Sequence, residues 1–111
     1  EISLSLAATY RRRPVGDDVV LVLTTTYTGP VTDSSILVEW QASVLRPGSA
    51  DDFEFFSSTS RAALGDPGRL EFTYPVGPPL PPLPPGSYVF TARAEVSDGE
   101  VVATRTIVVP G

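Results

Sequence analysis

The sequence predicts an all-β sandwich of seven short strands, and three observations predict it. Apolar and polar residues alternate with period two along most of the chain, which marks strands with one buried face. No segment keeps a 3.6-residue apolar period long enough to make a helix. Half of the twelve prolines sit in Val76-Gly-Pro-Pro-Leu-Pro-Pro-Leu-Pro-Pro85, directly before Gly86-Ser87-Tyr88-Val89-Phe90. Proline fixes φ and lacks an N–H, so that run reads as a stiff extended connection feeding a strand.

The first strand is read as Ile2 to Tyr10, with Ile2, Leu4, Leu6, Ala8 and Tyr10 on one face. Pro14-Val15-Gly16-Asp17 breaks it. The second runs from Val19 to Thr28, with Val19, Leu21, Leu23, Thr25 and Tyr27 alternating against Val20, Val22 and threonines, and Gly29-Pro30 ends it. The third, Ile36 to Leu45, turns Ile36, Val38, Trp40, Ala42 and Val44 one way and Glu39, Gln41 and Ser43 the other. Arg46-Pro47-Gly48 closes it. The fourth is short, Phe53 to Ser58, and the fifth, Arg69 to Tyr74, follows Gly65-Asp66-Pro67-Gly68.

The sixth strand, Tyr88 to Val96, and the seventh, Val101 to Val109, flank Asp98-Gly99, a strong signal for a tight hairpin turn. A turn centred there sets Val96 opposite Val101, Ala94 opposite Ala103, Ala92 opposite Arg105 and Phe90 opposite Ile107. Arg105 then lies on the core face. It must either snorkel past small Ala92 or be turned outward by a bulge, and the bulge is the expectation taken here. Strands one, two, four and five are expected to face strands three, six and seven.

The chain of 111 residues is expected to be one domain, 1–111. A domain of this size buries roughly two-thirds of its unfolded surface. No apolar run reaches transmembrane length, and no stretch of the sequence reads as a signal peptide. The start at Glu1 and the absence of methionine suggest a matured secreted chain or a module of a larger protein.

Several residue types are missing, and each absence removes a chemistry. Without Cys there are no disulfides, thiol nucleophiles or Cys-ligated zinc. Without His the usual general base and transition-metal ligand are gone. All eight basic residues are Arg, which removes Schiff-base and P-loop lysine chemistry. Without Asn there is no N-glycosylation acceptor. A net charge of −5 and a pI near 4.5 disfavour nucleic acid and anionic lipid as partners. The basic cluster Arg11-Arg12-Arg13 reads as a solvated turn with Asp17-Asp18 as counter-ions.

Three short motifs carry a resemblance: Val38-Glu39-Trp40, Leu83-Pro84-Pro85-Gly86-Ser87-Tyr88, and Val96-Ser97-Asp98-Gly99 followed by Thr106-Ile107-Val108-Val109. Together the chain resembles the bacterial and archaeal immunoglobulin-like, PKD-like β-sandwich domains of surface and secreted proteins. The resemblance implies a seven-stranded immunoglobulin-like Greek-key sandwich in an extracellular or cell-surface setting. It also implies a tyrosine corner at Tyr88, where the strand-six tyrosine bonds back to the upstream backbone. After Trp40 the chain carries Gln41-Ala42-Ser43, where PKD domains have Asp-Phe-Gly-Asp-Gly.

The acidic clusters Asp17-Asp18, Asp51-Asp52-Glu54 and Asp98-Gly99-Glu100 fall at turns, where Asp serves backbone geometry. No cofactor is expected, and Ca²⁺ is the one cofactor such clusters would suit. Most aromatics fall at core positions, but Phe56 is out of phase with Phe53 and Phe55 and is expected on the surface. Ile2, Leu4, Leu6 and Tyr10 lie on a terminal strand that could pack at home or insert into a neighbour. Ser57-Ser58-Thr59-Ser60 and Thr24-Thr25-Thr26 would supply polar edges for such mating. Trp40, Tyr88, Asp98 and Gly99 are structural markers.

These features point to a non-catalytic extracellular structural or adhesion domain. It would self-assemble through edge strands as a filament or surface-assembly subunit, with itself or other surface proteins as partner. The alternative is a carbohydrate-binding or spacer module of a larger secreted protein, with glycans as ligand. No enzyme activity, nucleic-acid binding or membrane insertion is expected.

Overall fold

In the computed structural model the chain is all-β, and the structure describes residues 2–13, 16–27, 35–63, 68–75, 83–96 and 99–110. The strands are β1 (Ile2–Arg13), β2 (Gly16–Tyr27), β3 (Ser35–Leu45), β4 (Phe53–Ala63), β5 (Gly68–Tyr74), β6 (Gly86–Val96) and β7 (Gly99–Val109). They form two antiparallel sheets, β1-β2-β5 and β4-β3-β6-β7, an arrangement consistent with a β-sandwich.

The alternation read from the sequence sets the inner faces. From the first sheet Leu6, Val19, Leu21 and Leu23 are buried, and from the second Val38, Trp40, Ala42, Val44, Tyr88, Phe90, Ala92, Ala94, Val96 and Val109. Each fully buried aliphatic side chain of this kind contributes about 1.5–3 kcal/mol over its exposed state. Three alanines in the second sheet create room for one large ring. Trp40 pairs with Ala94, and the next inward pair is Ala42 with Ala92. The Trp40 indole Nε1 is buried with no hydrogen-bond partner among the described residues, a local cost set against the ring's large apolar burial.

The sixth strand starts on the expected corner. The Tyr88 hydroxyl donates to the Pro84 carbonyl at 2.6 Å. Leu83 inserts into the core beside it. Gly86 has φ +134°, a region closed to side-chain-bearing residues, and a Cβ there would stand 2.7 Å from the Pro47 ring. Of the proline run, residues 76–82 lie outside the described residues.

Four expectations are corrected. First, β4 belongs with β3, β6 and β7 rather than with β1, β2 and β5. It also extends through the serine–threonine run to Ala63, because those residues pair with β3 from Gln41 back to Ser35. Second, β1 and β2 extend further toward each other, with Arg13 opposite Gly16, so that they form one long hairpin. Third, the β6–β7 register is displaced by two residues. Val96 pairs with Gly99, Ala94 with Val101, Ala92 with Ala103 and Phe90 with Arg105. Gly99 is therefore the first residue of β7 and not a turn centre; Asp98 lies outside the described residues.

Fourth, β7 carries no bulge at Arg105. A displacement of two keeps every side chain on its face, so Arg105 shares the core-facing side with Phe90 and yet is exposed. On an edge strand the long side chain can leave the core sideways, and its Nη1 donates to the Thr104 carbonyl at 3.2 Å. Arg105 thus leaves the core face beside Phe90 rather than past Ala92, and without a bulge.

Two consequences can be measured. Gly86→Ala should destabilise the fold by about 1–3 kcal/mol in urea unfolding, from backbone strain and the clash with Pro47. The second concerns pH. Burial pushes the Tyr88 phenol above its ordinary value of 10.0, with the nearby tyrosines adding to the shift. A raised folded-state value means that the neutral phenol stabilises the fold. This contribution is complete below pH 10 and is lost as pH rises through the folded-state value. The phenolate also cannot donate to Pro84. Tyr88→Phe should therefore cost about 0.5–1.5 kcal/mol at neutral pH. The difference in melting temperature between the two proteins should narrow above pH 10.

Candidate functional site

The sequence-nominated residues lie in two places. Leu4, Leu6 and Tyr10 share the inward row of β1, opposite Thr25, Leu23 and Val19 of β2, while Ile2 pairs with Tyr27 at the end of the ladder and its side chain lies outside those described. Leu6 is fully buried, and Leu4, Ala8 and Tyr10 pack half-buried against the core. β1 is therefore seated in its own sheet along all twelve residues. It is also an edge strand, and its flank runs alongside β7 of the second sheet without a ladder between them.

Phe56 lies elsewhere, on β4. The expectation that it is a surface aromatic fails because β4 bulges. Ala42 pairs with Phe56 and Ser43 with Glu54, which leaves Phe55 as the extra residue. A bulge of this kind re-aims neighbouring side chains, and here both rings turn toward the first sheet. Phe56 stacks on Phe72 at 4.0 Å with planes 3° apart. Phe55 meets Tyr74 edge-on at 5.1 Å and Phe90 at 6.0 Å. Phe53, expected inside, is the exposed ring, with the Arg46 guanidinium 5.0 Å from its centroid.

The Arg11–Arg13 cluster is pinned by the acids across the hairpin. Arg11 donates from Nε and Nη2 to the two Asp18 oxygens at 2.8 and 2.7 Å, a bidentate pair. The hydrogen bond to Asp18 is the chief cause holding the Arg11 guanidinium above its usual value. Arg12 is raised chiefly through a hydrogen bond with Tyr10, helped by the charges of Tyr10 and Asp17. On the inner face the Tyr10 hydroxyl donates to Asp17 Oδ2 at 2.7 Å. Asp17 and Asp18 are both buried but point to opposite faces, so they do not converge on a common ligand.

One shallow groove of about 300 Å³ crosses the outer face of the second sheet, lined by Gln41, Ser43, Asp52, Glu54, Thr91 and Arg93. It brings part of the Asp51-Asp52-Glu54 cluster beside Arg93, which also faces Glu100 at 3.9 Å. Among the described residues no three acidic side chains converge as a metal ligand set. The sequence did not reveal this groove, because its walls come from three strands whose neighbourhood depends on where β4 sits.

No known protein family matches the chain, and no curated protein matches it. Placement and chemistry of the side chains are therefore what bear on function.

The Tyr10–Asp17 bond gives a direct check on the hairpin. Asp17→Ala leaves a half-buried hydroxyl without its acceptor and should cost about 1–3 kcal/mol in urea unfolding. Combining it with Tyr10→Phe should cost less than the sum of the two single changes.

Proposed function

We propose that the chain is a non-catalytic structural or adhesive domain of extracellular type that joins neighbouring copies through its sheet edges, as a subunit of a filament or surface assembly. The observation that carries this reading is β1. It is an edge strand whose inward row, with Leu6 at its centre, is complementary to β2 through one uninterrupted ladder. A strand of that kind fits an identical β2 in a neighbouring copy as well as its own, which is the basis of strand exchange.

The strand order supports an immunoglobulin-like Greek-key reading of the sandwich. β5 follows β2 in one sheet, and β4 joins β3, β6 and β7 in the other, as in immunoglobulin-type domains whose extra strand extends the C–F–G sheet. The extracellular or cell-surface setting rests on that resemblance. The alternative, a carbohydrate-binding or spacer module, calls for a row of exposed aromatics on one sheet. Among the described side chains Phe53 is the exposed large ring, and the outer groove is lined by polar groups without an aromatic platform.

A locked hairpin tests the reading. Ala7 and Val22 are directly opposed on the outer face, a spacing that suits a disulfide, and the wild-type chain has no cysteine to compete. The measurement is negative-stain electron microscopy of wild type and of Ala7→Cys/Val22→Cys, oxidised and reduced. Ordered fibres from wild type and from the reduced variant, absent when oxidised, are the expected result for β1 exchange. Fibres that persist in the oxidised protein place the contact at edges other than an exchanged β1. Compact single particles of wild type at high concentration sink self-assembly.

A further inference from the structure

The two sheets end in four edge strands, and three of them carry features that oppose pairing. β7 has Arg105 on its core-facing side, so a strand docking there would meet a charge. β4 is broken by the bulge at Phe55. β1 carries Arg11, engaged with Asp18, and Arg12, engaged with Tyr10 and Asp17, near its end, and has its flank alongside β7. β5 is different. From Gly68 to Tyr74 it is regular and bulge-free, contains no proline, and among the described residues pairs on one side only, with β2.

β5 does carry charges, but their arrangement is self-complementary. Arg69 and Glu71 both point outward and are well exposed, with side chains 64% and 55% accessible. Within the strand they meet only at 4.0 Å. Across to β2 the charge of Arg11 on β1 reaches Glu71, but the facing residues Thr24 and Val22 offer no counter-charge of their own. A second β5 does. When two β5 strands run antiparallel about a two-fold axis through Leu70, Arg69 of each copy falls opposite Glu71 of the other. Moving the axis to Arg69 or Glu71 opposes like charges instead, which is costly across a strand pair. Of these three registers the charges favour the one through Leu70, in which residues 68–72 of the two copies face each other and their edge backbone groups supply the ladder.

We propose that two copies pair through β5 as a two-fold antiparallel dimer, held in register by reciprocal Arg69–Glu71 ion pairs. The two three-stranded sheets become one sheet of six, in the order β1-β2-β5-β5-β2-β1. The interface is isologous, with the same patch on both partners. The proposal rests on the reading that this chain self-associates through edges; it names the edge and the symmetry, and does not need β1 to leave its sheet.

Sedimentation across a concentration series tests it with wild type, Arg69→Glu, Glu71→Arg and the double exchange. Wild type should approach twice the 11.8 kDa chain mass. Each single reversal replaces two favourable pairs by two like-charge pairs and should weaken the dimer by roughly tenfold or more. The double exchange should restore it. The single variants shift net charge in opposite directions, so a general charge effect would move them oppositely, whereas the proposal requires both to weaken. Circular dichroism confirms that each variant is folded. Wild type monomeric at every concentration, or a dimer indifferent to the reversals, overturns the proposal. Electron microscopy of the same samples separates it from the filament reading. Fibres whose association ignores the reversals would leave edge assembly standing and remove the β5 dimer. Dimers that respond to the reversals, without fibres, would keep the β5 dimer and remove the filament.

Discussion

The extra residue in β4 governs how the two sheets close on each other. By opposing both Phe55 and Phe56 to a short stretch of β3, the bulge sends two consecutive rings toward the first sheet. Phe56 lies flat on Phe72, while Phe55 enters an edge-on cluster with Tyr74 and Phe90. Tyr74 and Phe90 are themselves 5.7 Å apart at 71°, so one aromatic cluster joins β4, β5 and β6 across the gap between sheets. Such pairs add about 0.5–1.5 kcal/mol each beyond area burial. Without the bulge, strict alternation would turn one of the two rings to solvent and leave the β4–β5 flank of the core open.

Charge placement follows the same geometry. Among the described residues the buried carboxylates, Asp17 and Asp18, sit on the hairpin and are satisfied by Tyr10 and Arg11. The other described charges on the strands are exposed, where they shape which strands can meet. Arg105 illustrates the distinction. Its position on the core-facing side of β7 would be costly in a central strand, but on an edge it is a charge that a second chain extending the sheet would have to meet. The acidic surplus of the whole chain adds solubility. Together these features leave few places where two copies can approach, which makes the remaining edge informative.

Much of the fold was legible in the sequence because it depends on short-range pattern. The inward rows of β1, β2, β3 and β6 follow from strict alternation, and the corner at Tyr88 is what the resemblance carried by Leu83-Pro84-Pro85-Gly86-Ser87-Tyr88 implies. The structure departs from these expectations where the pattern is silent. The serine–threonine run has no apolar period, so nothing in it says that β4 continues to Ala63. Sheet membership of β4 depends on partners distant in the chain. The hairpin register is ambiguous by two because Asp98-Gly99 and a turn one residue earlier both preserve the faces. The bulge was invisible for a related reason: alternation predicts which residue faces inward only while the ladder is unbroken. Of the candidate surface, the β1 row was readable from its spacing. The outer groove and the free β5 edge were not, since both exist only once the strands are assigned to sheets.

The corner at the start of β6 joins parts of the chain that are distant in sequence. Tyr88, Gly86 and Leu83 fix the entry of β6 through a hydrogen bond, a close packing against Pro47 and an inserted apolar side chain. Pro47 follows β3, some forty residues before Gly86, yet its ring occupies the space that a side chain at position 86 would need. The two positions therefore fit as a pair, and a change at one constrains what a lineage can place at the other.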